Sequence, residues 1–226
     1  MLLGVQRRSG RGISVDANYT LSKCEGHPTQ GGTTPNVNSG YVNPYDIDYD
    51  YGACTADRRH VFNLTGGYQT PEFDQRLLRA IASNWRASMI YRVSSGSPLT
   101  VTVTGDPAGT GIGGQRANLD GDPYGDRDST SNYLNFASFS APAAGQYGRQ
   151  RRGDVYGPGT RNVDIAIVRV FRLDTHRIEA RVESFNLMNW TRYNNPSANF
   201  SAANTFGRIT GAQDPRIMQF ALKYAF

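Results

Sequence analysis

The sequence predicts an all-β protein, more specifically an antiparallel up-and-down segment of a transmembrane β-barrel with about six strands. Three observations lead to this fold class. Six stretches alternate apolar with polar or small residues, several of them are long enough to cross a membrane at a tilt, and the connections between them are alternately long and short. The 25 glycines, 13 tyrosines and 10 phenylalanines agree with a chain of strands and turns.

The six predicted strands span residues 11–23, 58–70, 84–104, 161–173, 177–189 and 215–226. In the first, apolar residues at odd positions from Ile13 to Leu21 alternate with polar residues at even positions from Ser14 to Ser22. The last repeats the pattern, with its larger apolar side chains at even positions from Met218 to Phe226. This alternation predicts a lipid-facing side and a polar side for each strand.

The connections predict how the strands are oriented. Those at 24–57, 105–160 and 190–214 are long, whereas the connections between them are short. Outer-membrane barrels carry longer loops outside the cell and short turns in the periplasm, so we expect the three long connections at the extracellular end. Within one of the short connections, Leu77, Leu78 and Ile81 predict a short amphipathic helix at the periplasmic rim.

Aromatic and charged residues extend this interpretation. The aromatic residues predicted to form girdles at the membrane interfaces are Tyr19, Tyr68, Trp85, Tyr91, Phe171, Tyr224 and Phe226. The charged residues predicted to face a polar lumen are Arg86, Arg92, Arg177, Glu179, Arg181, Glu183 and Lys223. Arg169 departs from this division, because the alternation places it on the lipid-facing side. Either its guanidinium reaches the periplasmic interface or a bulge shifts the register.

Two other architectures would produce similar strands. A soluble secreted β-sandwich, acting as a carbohydrate-binding or adhesion module, would pack the apolar side of its strands against a second sheet. Another outer-membrane barrel, such as a porin, would alternate in the same way. Strand length and the asymmetry of the connections favour a membrane barrel over the sandwich.

Composition and motifs argue against several other classes of protein. The net charge is +5, but no basic cluster lies on a predicted helix and no nucleic-acid-binding spacing occurs, so no nucleic-acid partner is expected. No Ser/His/Asp or Cys/His set has the spacing of a catalytic site, so neither an enzyme nor a cofactor is expected. The glycines at 109–114 match G-x-G-x-x-G, but no helix follows them, and an extracellular loop is the simpler interpretation.

Two sets of residues in the long connections could be structural sites. Cys24 and Cys54 lie in one connection without C-x-x-C spacing, which predicts a disulfide, with two free thiols as the alternative. Calcium ligands could come from Asp120, Asp122, Asp126 and Asp128. The glutamate that completes an EF-hand is missing there, so a solvated acidic turn is the alternative, and no other metal site is expected.

Several stretches occur in an order typical of one family. "DRRHVFNLTGGYQTP" and "NWRASMIYRVSSGSPLTV" are followed by "FASFSAPAAGQYG", "GPGTRNVD", "ARVESFNLMN" and "FGRITGAQDPR". From about residue 11 to 226 the chain resembles the C-terminal barrel of TonB-dependent receptors, in particular the Oar-like group, whose members carry a carboxypeptidase-regulatory-like domain. The resemblance implies the bacterial outer membrane, a 22-stranded barrel filled by an N-terminal plug, energy coupling through a TonB box, and transport of a bulky substrate.

The resemblance also implies partners. Outer-membrane lipid and lipopolysaccharide would surround the barrel, the other strands and the plug of a parent receptor would complete it, and the TonB complex would act only through the N-terminal part. The final strand resembles the C-terminal signal that the barrel-assembly machinery recognises, here Phe220, Leu222, Tyr224 and Phe226. Since about six strands cannot close a membrane barrel and no plug is evident, we expect the last part of a receptor, as a fragment or a split gene.

Overall fold

A computed structural model describes residues 1–9, 12–28, 41–43, 45–173 and 175–226, and its main element is a seven-stranded antiparallel sheet. The strands are β1 (Leu2–Arg8), β2 (Ile13–Leu21), β3 (His60–Gln69), β4 (Trp85–Ser94), β5 (Thr160–Leu173), β6 (His176–Phe185) and β7 (Ile217–Ala225). Each strand pairs with its neighbours in chain order, so the sheet is an up-and-down meander, as predicted. Among the described residues β1 and β7 do not pair with each other, and the barrel is not closed.

Strand β1 was not predicted, and the count of six strands is corrected to seven. It pairs with β2 along its whole length, with Leu3 opposite Tyr19 and Val5 opposite Ala17. Its seven residues end in two arginines, so its alternation is too short to stand out from the sequence. Gly12, on the turn to β2, has a positive φ of 78°, and a Cβ there would lie 2.2 Å from the carbonyl oxygen of Gln69.

Two other boundaries differ from the prediction. The third predicted strand, 84–104, ends at Ser94, because the chain leaves the sheet and forms the two-residue strand Pro98–Leu99, which pairs with Val155–Tyr156. The predicted strand 177–189 ends at Phe185, because Asn186 adopts a positive φ of 51° that is incompatible with extended backbone. Residue 11, where the first predicted strand begins, lies outside the described residues.

The predicted helix in the connection between β3 and β4 is present as α1 (Arg76–Ala82). Six of its seven residues are exposed, and Ala82 is partly exposed. Trp85 at the start of β4 donates its indole N–H to the carbonyl oxygen of Ile81 at 2.8 Å, which ties the helix to the sheet. No helix in the described part of the chain is long and apolar enough to cross a membrane.

The long connections meet at one end of the sheet in what we call the loop layer, comprising 95–159, 186–216 and the described parts of 22–59. It contains the 3₁₀ helices Ile47–Asp50 and Phe136–Ser138 and the paired short strands Glu25–Gly26 with Gly52–Ala53 and Asn118–Leu119 with Phe139–Ser140. Its hydrophobic core consists of Val101, Val103, Ala117, Tyr133, Leu134, Phe139, Val155, Phe206 and Ile209. This core of the described residues therefore lies in the loop layer and not in the sheet.

Candidate functional site

The sheet has one apolar face, built by an uninterrupted register across all seven strands. Tyr19 lies opposite Phe62 in the β2–β3 pair, Leu64 lies opposite Tyr91 in the β3–β4 pair, and Val182 lies opposite Phe220 in the β6–β7 pair. Directly opposed residues of an antiparallel pair project to the same side. The side chains of this face are largely exposed, with Phe220 at 74%, so the described structure packs no second sheet against them. That observation contradicts the β-sandwich alternative.

The opposite face carries all seven of the charged residues predicted to line a lumen, and Glu179 on β6 is their centre. Its carboxylate lies 3.2 Å from the guanidinium of Arg177, 3.4 Å from that of Arg86 and 3.6 Å from that of Arg181. Arg181 in turn lies 3.3 Å from Glu183. Strands β4 and β6 are not neighbours, so the Arg86–Glu179 pair reaches across β5. The result is a continuous network of charges over three strands.

The same register places the other two charges on this polar face. Lys223 lies directly opposite Glu179 in the β6–β7 pair, and Arg92 lies opposite Asn63 in the β3–β4 pair. That these residues face a lumen stays a prediction, because a lumen exists only in a closed barrel. Their common orientation means that a closed barrel would present them all to the same compartment.

A shallow groove of about 400 Å³ lies on the polar face. Its lining includes Ser14 and Gly67 near one end and Arg86, Arg181 and Glu183 at the other. The absence of a side chain at Gly67 leaves space in the groove, because a Cβ there would lie 2.6 Å from the hydroxyl oxygen of Ser14. Hydroxyl, guanidinium and carboxylate groups side by side can hydrogen bond to a polar solute.

Replacing Glu179 with glutamine is expected to destabilise the sheet by about 1–2 kcal/mol, because three guanidinium groups would then surround a neutral side chain. The matched control is Glu183→Gln, since Glu183 contacts the single guanidinium of Arg181. The measurement is the urea midpoint of tryptophan fluorescence for protein folded in lipid vesicles. Equal midpoints for the two variants would contradict the central position of Glu179.

The loop layer at the end of the sheet is held together by contacts between segments that are distant in the sequence. Thr102 bridges to Asn199, and its carbonyl oxygen accepts a 2.8 Å hydrogen bond from the backbone N–H of Phe200. The Phe200 ring stacks on Phe136 with centroids 4.6 Å apart. The connections 105–160 and 190–214, which the sequence presented as separate loops, therefore share one core.

Leu134 lies in that core, with only 1% of its surface exposed, so its substitution tests how much the core contributes to stability. Leu134→Ala should destabilise the loop layer by about 2–5 kcal/mol through lost burial and a residual cavity. Hydrogen exchange of amides in 95–159 would report the change, and Met188→Ala is the control, since Met188 is 55% exposed. Unchanged exchange in the Leu134 variant would show that the core does not stabilise the layer.

A buried ion pair joins the first long connection to the second. Arg116 donates to Asp50 at 2.6 Å, and both side chains are almost fully enclosed. Asp50 also accepts backbone hydrogen bonds from Val42 at 2.7 Å and Asn43 at 3.1 Å, while the Arg116 guanidinium lies 3.6 Å from the centre of the Tyr49 ring. The sequence analysis missed this pair, because its partners are separated by 66 positions and neither lies in a periodic stretch.

The pKa values of Asp154 and Asp106, two acidic residues of the loop layer, are shifted in opposite directions. Burial raises the pKa of Asp154, and the hydrogen bond that it accepts from Gln150 at 2.9 Å only partly offsets this effect. Burial also acts to raise the pKa of Asp106, but hydrogen bonds from the backbone of Gly111 and from Thr110 outweigh it, and the pKa is lowered. Asp106 therefore organises the glycine-rich segment 109–114 as an ionised hydrogen-bond acceptor.

Cys24 and Cys54 are joined by a disulfide bond, with their Cα atoms 5.4 Å apart. The backbone N–H of Cys54 donates to the carbonyl oxygen of Cys24 at 3.0 Å, so the two segments are also hydrogen bonded. The bond closes a loop of 30 residues, part of which lies outside the described residues. Of the two alternatives the structure contains the paired form.

The four aspartates considered as calcium ligands are not brought together. Asp120 pairs with Arg149 and accepts a hydrogen bond from Ser140 at 3.1 Å. The remaining three are exposed, and two of them form local turns: Asp122 accepts from the backbone N–H of Tyr124, and Asp126 accepts from that of Asp128, both at 3.0 Å. Within the described ranges no group of three or more His, Cys, Asp or Glu residues could hold a metal ion, so the calcium hypothesis is corrected to a solvated acidic turn.

Arg169 lies on the apolar face, because the register through it is regular. It is opposite Ala180 on β6 and Trp85 on β4, so the alternative of a bulge is wrong. Its guanidinium carbon lies 4.5 Å from the centre of the Phe171 ring and 5.0 Å from that of Trp85. The charge is therefore accommodated by aromatic rings at the end of the sheet that carries the short connections.

The predicted C-terminal assembly residues lie on β7 and just beyond it. Phe220, Leu222 and Tyr224 share the apolar face, and Phe226 follows the strand with 95% of its surface exposed. Tyr224 is hydrogen bonded to the imidazole of His176 at 2.7 Å. Recognition of these residues by the barrel-assembly machinery stays a prediction.

Comparison with known proteins produced one match. A family model described as "Outer membrane beta barrel domain" matches residues 1–219. No curated protein and no solved structure matches the chain.

Proposed function

We infer the function of this chain from one premise: it belongs to the outer membrane beta barrel domain family, whose model spans nearly its whole length. The chain accordingly lies in the bacterial outer membrane. We expect the apolar face of its sheet to contact lipid, because the outside of a membrane barrel is apolar. We propose that it is the C-terminal part of the barrel of a TonB-dependent transporter. In this role it walls a polar lumen and presents the loop layer to the outside for uptake or export of a substrate, without enzymatic activity.

The observation that carries this proposal is the division of one sheet into an apolar face and a charged face, with the loop layer at a single end. A transport barrel needs both surfaces, because lipid requires an apolar exterior while a solute pathway requires polar groups inside. The ordered resemblance to TonB-dependent receptors supports the finer assignment. It extends from β2 to β7 and includes segments of the loop layer.

The two edges of the sheet support the proposal that further strands belong to the same barrel. Strands β1 and β7 each pair on one side only among the described residues. In lipid, every backbone N–H or C=O group left without a partner costs several kcal/mol. We therefore expect additional strands, and a plug inside the completed barrel, to be supplied by the parent receptor.

The test uses the complete product of the gene that encodes this chain. Photocrosslinking in cells should join it to TonB, and the purified product should carry no steady ion current in planar bilayers, because a plug closes the lumen. A porin-like barrel would conduct steadily and would not crosslink to TonB. That result would overturn the transporter assignment while leaving the outer-membrane barrel intact.

A further inference from the structure

Arg169 is a cation on the lipid-facing side of the sheet with an incomplete set of partners. One terminal amino group donates to the carbonyl oxygen of Ala80 in the second half of α1. The Nε–H is enclosed and has no hydrogen-bond acceptor. No carboxylate in the described part of the chain forms an ion pair with Arg169. A positive charge in such surroundings favours an anionic partner, and the described protein does not provide one.

An apolar groove of about 410 Å³ begins beside this guanidinium. Trp85 and Phe171 flank it at the Arg169 end, and Phe220 and Leu222 form its far wall on β7. Its floor is low at Ala180, whose methyl side chain lies directly opposite both Arg169 and Leu222 in the register. An apolar groove open toward the membrane accommodates hydrocarbon and not water.

The groove extends from the periplasmic interface, toward which the Arg169 guanidinium reaches beside Phe171 and α1, into the hydrocarbon region at Ile167. Arg169 is four residues, or about 13 Å along the strand, from the end of β5 at a short connection. Beside it, α1 exposes Leu77, Leu78 and Ile81, as a helix lying in the plane of the interface would. The Trp85 ring at this level is typical of the headgroup region.

We propose that Arg169 and the adjoining groove form a binding site for an anionic phospholipid of the periplasmic leaflet. The lipid phosphate accepts charge-assisted hydrogen bonds from the guanidinium, and one acyl chain occupies the groove over Ala180. Lipopolysaccharide is excluded as the occupant, because it belongs to the leaflet at the loop-layer end. The inference rests on the membrane orientation of the sheet and does not depend on the proposed transport function.

Native mass spectrometry of the complete gene product in detergent, titrated with phosphatidylglycerol or phosphatidylethanolamine, tests the site. Wild-type protein should retain phosphatidylglycerol in preference, and Arg169→Gln should weaken that retention by about tenfold. Arg177→Gln on the polar face is the matched control and should keep the preference. A purely structural role of Arg169 in holding α1 would produce no discrimination between the two headgroups, so equal retention of both lipids by the wild type would overturn the proposal.

A second variant separates the groove from the charge. Ala180→Leu keeps Arg169 but fills the floor of the groove, and it should also reduce retention of phosphatidylglycerol while the protein still shows heat-modifiable migration on gels. Inorganic phosphate at millimolar concentration should not displace the lipid. Full displacement by phosphate, or unchanged retention in the Ala180 variant, would show that the acyl chain is not bound and would overturn the proposed site.

Discussion

Asp50→Ala is expected to destabilise the loop layer by about 3–5 kcal/mol, because it leaves the enclosed guanidinium of Arg116 without its counter-charge. The variant also removes the acceptor of the backbone N–H groups of Val42 and Asn43. The Arg116 guanidinium would then keep only the neutral carbonyl oxygen of Tyr49 as an acceptor, at 2.6 Å, because its Nε–H has no partner in the described structure. The measurement is limited proteolysis and amide hydrogen exchange of the loop layer in protein folded in lipid vesicles.

Two controls make this expectation specific. Asp120→Ala removes an exposed ion pair with Arg149 and should cost no more than about 1 kcal/mol. Adding Arg116→Met to Asp50→Ala should recover part of the lost protection, because no unpaired charge is then buried. If the loop layer of the Asp50 variant resists protease as well as the wild type, the ion pair does not hold the first connection in place.

Ile167→Arg is expected to destabilise the protein in lipid by about 2–4 kcal/mol, the cost of a cation near the bilayer midplane on the outside of a barrel. Ile167 faces the apolar side midway between Val163 and Phe171, which lie toward opposite ends of β5. Its neighbours across the sheet are Ala87 and Val182, so no carboxylate can compensate the charge. Urea unfolding in phospholipid vesicles, followed by tryptophan fluorescence, measures the loss.

Ala166→Arg is the matched control, because the substitution introduces the same side chain one residue away on the polar face. Ala166 lies opposite Glu183 on β6 and Ser88 on β4, so the new guanidinium would have an acidic neighbour. Its unfolding midpoint should remain close to that of the wild type. A larger loss for Ala166→Arg than for Ile167→Arg would reverse the assignment of the two faces.

Much of the sheet was predictable, since a period-two pattern has only two registers and each assigns every side chain to a face. The charges of the polar face, from Arg86 to Lys223, follow from that rule. Strand β1 was not predicted, because its seven residues end in Arg7 and Arg8 and alternate too briefly between apolar and polar side chains. The helix α1 was indicated by three apolar side chains at helical spacing, whereas its bounds depended on packing against Trp85.

The loop layer could not be predicted in the same way. Its core residues, such as Val101, Leu134 and Phe206, are scattered singly among glycines, asparagines and prolines, where no periodicity marks them. The partners of Asp50, Arg116 and Tyr49 come from two different connections, and the pairing depends on how these connections fold over one another. The groove beside Arg169 likewise needs side chains from four strands.

The sequence by itself determined six of the seven strands, their two faces and the end at which the long connections lie. The faces follow from a local pattern that repeats every two residues, and the end follows from the lengths of the connections. Only the tertiary structure decided that the long connections share a hydrophobic core, that Asp50 neutralises Arg116 in its interior, and that Arg169 lies between the rings of Trp85 and Phe171 on the apolar face. The physical reason is that each of these features joins residues far apart in the chain, and their contacts exist only once the chain has folded.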